Sequence, residues 1–260
     1  MLDYFAALPH TAQALLATLF TWGVTALGAA AVFLFKRMNG TLLDAMLGFA
    51  AGVMTAASYF SLLAPAAELA ESLGMNVPLA LLAGFLGGGA LLFLGDFVWA
   101  RLDSRGGARR SAMLVSSITL HNIPEGLSVG VAFGSLAYGI PGATLASACL
   151  LALGIGLQNF PEGLAVSVPL RREGASRARA FCIGQLSGAV EPVAGVLGAL
   201  LVLGVQRLLP YMLAFAAGAM IYVVVSELVP ESQTNEKGGV MAFATLIGFA
   251  LMMVMDVGLG

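Results

Sequence analysis

The sequence predicts an all-α integral membrane protein: one polytopic domain, residues 1–260, with eight transmembrane helices. Three observations carry that expectation. The chain is 59% hydrophobic and only 10% charged, whereas a soluble domain holds about 25% charged residues. Apolar runs near the length a helix needs to cross the hydrocarbon recur along the whole chain. The basic residues fall almost entirely in alternate gaps between those runs.

In chain order the runs are 12–35, 42–64, 78–99, 111–134, 144–170, 180–203, 210–230 and 239–258. The leading MLDYFAALPH carries no Lys or Arg. It lacks the basic n-region of a signal peptide, so the first span is expected to be retained. Lys36 and Arg37 follow the first span. Arg101, Arg105, Arg109 and Arg110 follow the third, Arg171, Arg172, Arg177 and Arg179 the fifth, and Lys237 the seventh; Arg207 alone lies on the other side. Lys and Arg collect on the cytoplasmic side. The expected protein is therefore multi-pass in the cell's inner (plasma) membrane, with both termini on the non-cytoplasmic side. Little chain remains outside the spans, and no nucleic-acid partner is expected. Cys149 and Cys182 form no spaced framework and read as small apolar side chains. GFLGGG at 84–89 reads as a close helix contact, and His10 as an interfacial residue.

Two repeats are visible. LGFAAGVM at 47–54 matches LAFAAGAM at 213–220 in six of eight positions, an offset of 166. That offset lays the first span on the sixth and the second on the seventh, with Thr25 over Glu191 and Ser61 over Glu227. By the loop charges the copies have opposite topology. Inverted repeats of spans 1–3 and 6–8 around spans 4 and 5 are a transporter arrangement, with the substrate site near the midplane. The second repeat is HNIPEGLSV at 121–129 and QNFPEGLAV at 158–166, inside the fourth and fifth spans. These spans run antiparallel, so the motifs can meet at one depth.

On a helix, positions i and i+4 share a face. His121 with Glu125, and Gln158 with Glu162, each offer a nitrogen or amide ligand and a carboxylate to one side. Pro124 and Pro161 each lack an N–H and clash with a carbonyl four residues back, so both helices are expected to kink, eased by Gly126 and Gly163. Glu191 adds a carboxylate near the middle of the sixth span. An unpaired central carboxylate costs about 3 kcal/mol to insert, and three approach the whole stability of a typical domain. Every Lys and Arg is assigned to a loop. The expected counter-ion is thus protons or a bound cation. Imidazole, amides and carboxylates suit a borderline or hard divalent metal such as zinc, iron or manganese, and Met54 offers a thioether. Asp44, Asp96 and Asp256 lie nearer span ends. Asp256 is expected as an access-side ligand and Glu227, with Asp44, as release-side ligands. Ser61 is the repeat counterpart of Glu227.

The paired HNxPEG and QNxPEG motifs in an eight-span chain resemble the ZIP family of divalent-metal transporters, bacterial type. The resemblance implies import of a divalent cation, zinc first but also iron, manganese or cadmium, as substrate. It implies a binuclear site built from His121, Asn122, Glu125, Gln158, Asn159, Glu162, Glu191 and Met54. It also implies an elevator-like motion of spans 1, 4, 5 and 6 against spans 2, 3, 7 and 8, and a homodimer. Two departures stand out. Asn159 replaces the Asp of some members, which favours one strongly bound ion. The loop RLDSRGGARR has no histidine, which argues against a metal-sensing role for it. Two other readings compete. A passive cation channel would show non-saturating flux. An intramembrane metallohydrolase would need an HExxH-type zinc site with a general base, and the chain has no HExxH.

Overall fold

The computed structural model describes residues 2–34, 40–102, 106–138, 143–205, 207–233 and 238–259. Among these residues every regular element is helical. After a short helix, Leu2–Ala6, the long segments are α1 (His10–Phe33), α2 (Gly40–Ser72), α3 (Val77–Leu102), α4 (Gly106–Leu136), α5 (Leu145–Arg172), α6 (Arg177–Leu200), α7 (Leu209–Ser232) and α8 (Gly238–Leu259). Seven of them are long and apolar enough to cross a membrane; α4, with Arg109, Arg110, His121, Asn122 and Glu125 in its sequence, is not among those seven.

The helices run on through two of their prolines and turn irregular before two others. Both α4 and α5 continue as α-helix through Pro124 and Pro161. Gly126 and Gly163 serve as contact points, where a Cβ would stand 2.6 Å from the Glu191 carbonyl oxygen and 2.1 Å from that of Thr25. Neighbouring backbone thus packs against each helix two residues beyond its proline. The irregular turns lie elsewhere. In α2, Ser58–Leu63 is a π-helical segment directly before Ala64 and Pro65. In α7, Val224–Leu228 is a second one directly before Val229 and Pro230. The wider π turn moves the carbonyl that the proline ring would strike. α6 breaks at Gly188 and Ala189, between Arg177–Ser187 and Val190–Leu200, so that Glu191 lies in the first turn of its second half.

The helices pack as two groups. In one, α1 lies along α5 and α4 along α6, with further α1–α6, α4–α5 and α1–α4 contacts. In the other, α3 lies along α7 and α2 along α8. The groups meet where α2 touches α5 and where α7 and α3 touch α4. Glycine sets the close approaches within each. A Cβ on Gly52 would stand 1.9 Å from the Thr245 carbonyl oxygen on α8, and one on Gly218 would stand 1.9 Å from that of Phe85 on α3. Gly84 and Gly88, from the GFLGGG stretch, face the Tyr211 and Phe215 carbonyls of α7 just as closely. Without lipid-driven hydrophobic attraction between helices, such small-residue contacts carry association by dispersion.

Candidate metal centre

The centre grows out of the first helix group. Asn122 and Glu125 on α4, Gln158, Asn159 and Glu162 on α5, and Glu191 on α6 are all fully buried. Their spacing puts each set on one helix face, and the antiparallel crossing of α4 and α5 brings the two motifs together. The Gln158 side-chain amide donates to Glu125 Oε1. Asn159 Nδ2 donates to both Glu191 oxygens, at 2.9 and 3.0 Å, and to the Thr21 carbonyl at 3.1 Å. Asn122 Nδ2 donates to the Ser187 carbonyl at 3.0 Å, one of the carbonyls freed by the break in α6.

The amide nitrogens are therefore all engaged as donors, which fixes where the amide oxygens are. Oδ1 of Asn122, Oε1 of Gln158 and Oδ1 of Asn159 are buried and accept no hydrogen bond. A buried acceptor left unmet costs roughly 1–3 kcal/mol, and three in one cluster call for a partner that is itself an electron-pair acceptor. Glu191 receives the Thr21 hydroxyl as well as the Asn159 amide, both neutral donors. Among the described residues no three His, Cys, Asp or Glu side chains gather at a single point. The hydrogen bonds join Glu125 to Gln158 and Glu191 to Asn159 and Thr21.

The other sequence-named residues fall in three places. The backbone of His121 is on α4, one residue before Asn122; its side chain lies outside the described residues. Met54 is fully buried on α2, the helix that touches α5. Ser61, in the π segment of α2, donates to Asp256 Oδ2 at 2.8 Å. The two line a cavity of about 240 Å³ that also reaches Ser147, Gly154 and Leu157 on α5. At the opposite end Asp44 is buried and bonded to Arg172, and Glu227 lies in the π segment of α7. The expectation that every basic side chain belongs to a loop is corrected here. Arg172 closes the last turn of α5 and is three-quarters buried, because the tight α5–α6 turn directs it back between α2 and α7.

Sequence reasoning missed Thr21. The signal was present as Thr18, Thr21 and Thr25, a polar stripe at helical spacing along an apolar span, all fully buried. Only Thr25 was singled out, through the repeat.

Comparison with known proteins gives the family of the chain. The sequence model described as ZIP Zinc transporter fits residues 100–256, which hold both motifs, Glu191 and Asp256. The chain belongs to the ZIP family. It is 41% identical to the protein named Zinc transporter ZIP11 from Homo sapiens, over 95% of this chain and 97% of that one. It is 40% identical to Zinc transporter GufA from Myxococcus xanthus, over 95% and 98%, and 37% identical to Zinc transporter ZIPB from Bordetella bronchiseptica, over 96% and 82%.

Proposed function

We propose that this ZIP-family protein carries a divalent metal ion, zinc first, across the membrane into the cytoplasm by alternating access at the α4–α5 centre. One observation carries the reading: three buried amide oxygens without hydrogen-bond partners stand beside three buried carboxylates. Hard and borderline divalent cations take oxygen donors of both kinds. The names of the relatives favour zinc.

The topology belongs to the same proposal. α4 is the eighth crossing, its polarity explained by the centre it carries. The inverted repeat draws support from three correspondences. The offset of 166 carries Ser58–Leu63 onto residues 224–229, and the second π segment is Val224–Leu228. It carries Gly52 onto Gly218, and at each a Cβ would stand 1.9 Å from a facing carbonyl oxygen. It also exchanges the α3–α7 and α2–α8 pairings. The two helix groups correspond to the moving and static halves of an elevator. Arg172, Asp44 and Glu231 meet at one end of the bundle and Ser61 and Asp256 at another position beside α8, which supports the loop-charge topology with both termini outside the cytoplasm. The inner membrane and a homodimer complete the reading.

Purified protein in liposomes, with a zinc-sensing dye inside, tests it. Saturable uptake in the wild type and none with Glu125→Ala is the expected result. Equal uptake by both, or flux that does not saturate, would remove the carrier reading.

A further inference from the structure

We propose that Arg172 is a latch. Its guanidinium ties the α1, α4, α5, α6 group to the α2, α3, α7, α8 group and sets which relative position of the two is populated. The inference rests on the reading above that the groups slide past one another.

Arg172 stands on a stiff base. Gly174, at φ +93°, ends α5. The Ala175 amide returns to the Leu170 carbonyl at 3.0 Å and the Gly174 amide to Arg171 at 3.1 Å, a Schellman-type close. Arg171 adds a bond to the Ala175 carbonyl, and Ser176 caps α6 by accepting from the Arg179 amide at 3.2 Å. From this base Nη2 donates to Asp44 on α2, while Nη1 donates to Glu231 on α7, at 2.6 Å to Oε1 and 3.2 Å to the backbone carbonyl. Arg172 belongs to the first group; Asp44 and Glu231 belong to the second.

The chemistry of this bridge differs from the contacts inside each group. Those are helix backbones meeting at glycine against facing carbonyls, close-packed and without charge. A guanidinium between two carboxylates is directional and charge-assisted. It is partly buried, so salt screens it incompletely. It also lies at an end of the bundle, where the three groups regain water once parted. Such a contact can be made and broken as a unit. A planar fork reaches two carboxylates at once, which a lysine ammonium on a flexible stem does not reproduce.

The test is a spin-label distance between Leu42→Cys on α2 and Glu173→Cys after α5. It uses the full chain in lipid nanodiscs, with Cys149 and Cys182 replaced. The wild type is expected to give two distances, the shorter dominant without metal. Arg172→Gln should move the ratio toward the longer distance by about threefold to tenfold. Arg172→Lys should fall between. Glu231→Gln, which leaves the Asp44 bond intact, should shift the ratio less; it carries the test should Arg172→Gln fail to insert. Two distances whose ratio none of these variants changes would overturn the latch and leave the sliding reading intact. A single distance in every variant, with and without zinc, would overturn the sliding reading and the latch with it.

Discussion

The two helix groups are built with the same joints and different interiors. Both close on glycine against a facing carbonyl, Gly163 on Thr25 in one and Gly52 on Thr245 in the other. Yet of the eighteen buried polar side chains among the described residues, fourteen lie on α1, α4, α5 and α6. The other group holds only Asp44, Ser58, Ser61 and Ser232. Asp44 is paired with Arg172 and Ser61 with Asp256, both from outside their own helix. Packing thus fixes the frame in both groups, while the first group holds most of the buried polar side chains. In the second, Ser58 and Ser232 bond back to their own helix, and Asp44 and Ser61 find side-chain partners on other helices.

That contrast can be broken in graded steps. The largest effect is expected from Glu125→Ala and Glu162→Ala, each of which removes a carboxylate from the polar group. Zinc uptake in liposomes should fall at least about 100-fold for either, while both variants still insert and fold. Wild-type uptake by either variant would move the centre elsewhere.

Next come the joints. Gly163→Val and Gly52→Val both push a Cβ into a backbone carbonyl, and overpacking of this kind costs about 1–3 kcal/mol or more. Both should lower the melting temperature in detergent by several degrees. The two fall together because the joints are the same, although only one borders the centre. A large drop for one and none for the other would contradict the shared scheme.

Asn159→Asp sharpens the comparison from within the polar group. The Asn159 amide now donates to Glu191; a carboxylate there would instead repel it and call for a second cation. Zinc bound per chain, counted by elemental analysis after equilibrium dialysis, should rise from one to two. A count that stays at one would sever Asn159 from site number.

Metal affinity should also fall on acidification, because the ligands must be deprotonated to bind. Each proton displaced by zinc lowers affinity up to about tenfold per pH unit below its ligand's own range. Titrations that are flat from neutral to mildly acid pH would argue against a His and carboxylate site. The smallest effect belongs to Asp256→Asn, expected to raise KM a few-fold at unchanged maximal rate.

Much of this architecture was legible in the sequence. Seven of the apolar runs fall on helices long and apolar enough to cross a membrane, because a span's length and composition are set by the bilayer rather than by neighbours. The motif pair was legible because a carboxylate beside a proline in an apolar run has few structural explanations. Three features were hidden. Arg172 was counted as a loop residue, and charge counting does not register that a terminal-turn side chain can fold back between helices. The π segments directly precede Pro65 and Pro230, whereas Pro124 and Pro161, equally visible, lie within continuous α-helix. Thr21 owes its contact with Glu191 to the break in α6 at Gly188 and Ala189, which resets the facing of the half-helix that follows.

The central claim is that a divalent ion is held at the α4–α5 centre by carboxylate and amide oxygens drawn from Glu125, Glu162, Glu191, Asn122, Gln158 and Asn159. Anomalous diffraction at the zinc edge, from crystals grown with zinc, tests it most directly. The account predicts a peak between α4, α5 and α6 within about 2.0–2.2 Å of carboxylate oxygens. Zinc peaks only at surface carboxylates, with the α4–α5 centre empty at saturating metal, would contradict it.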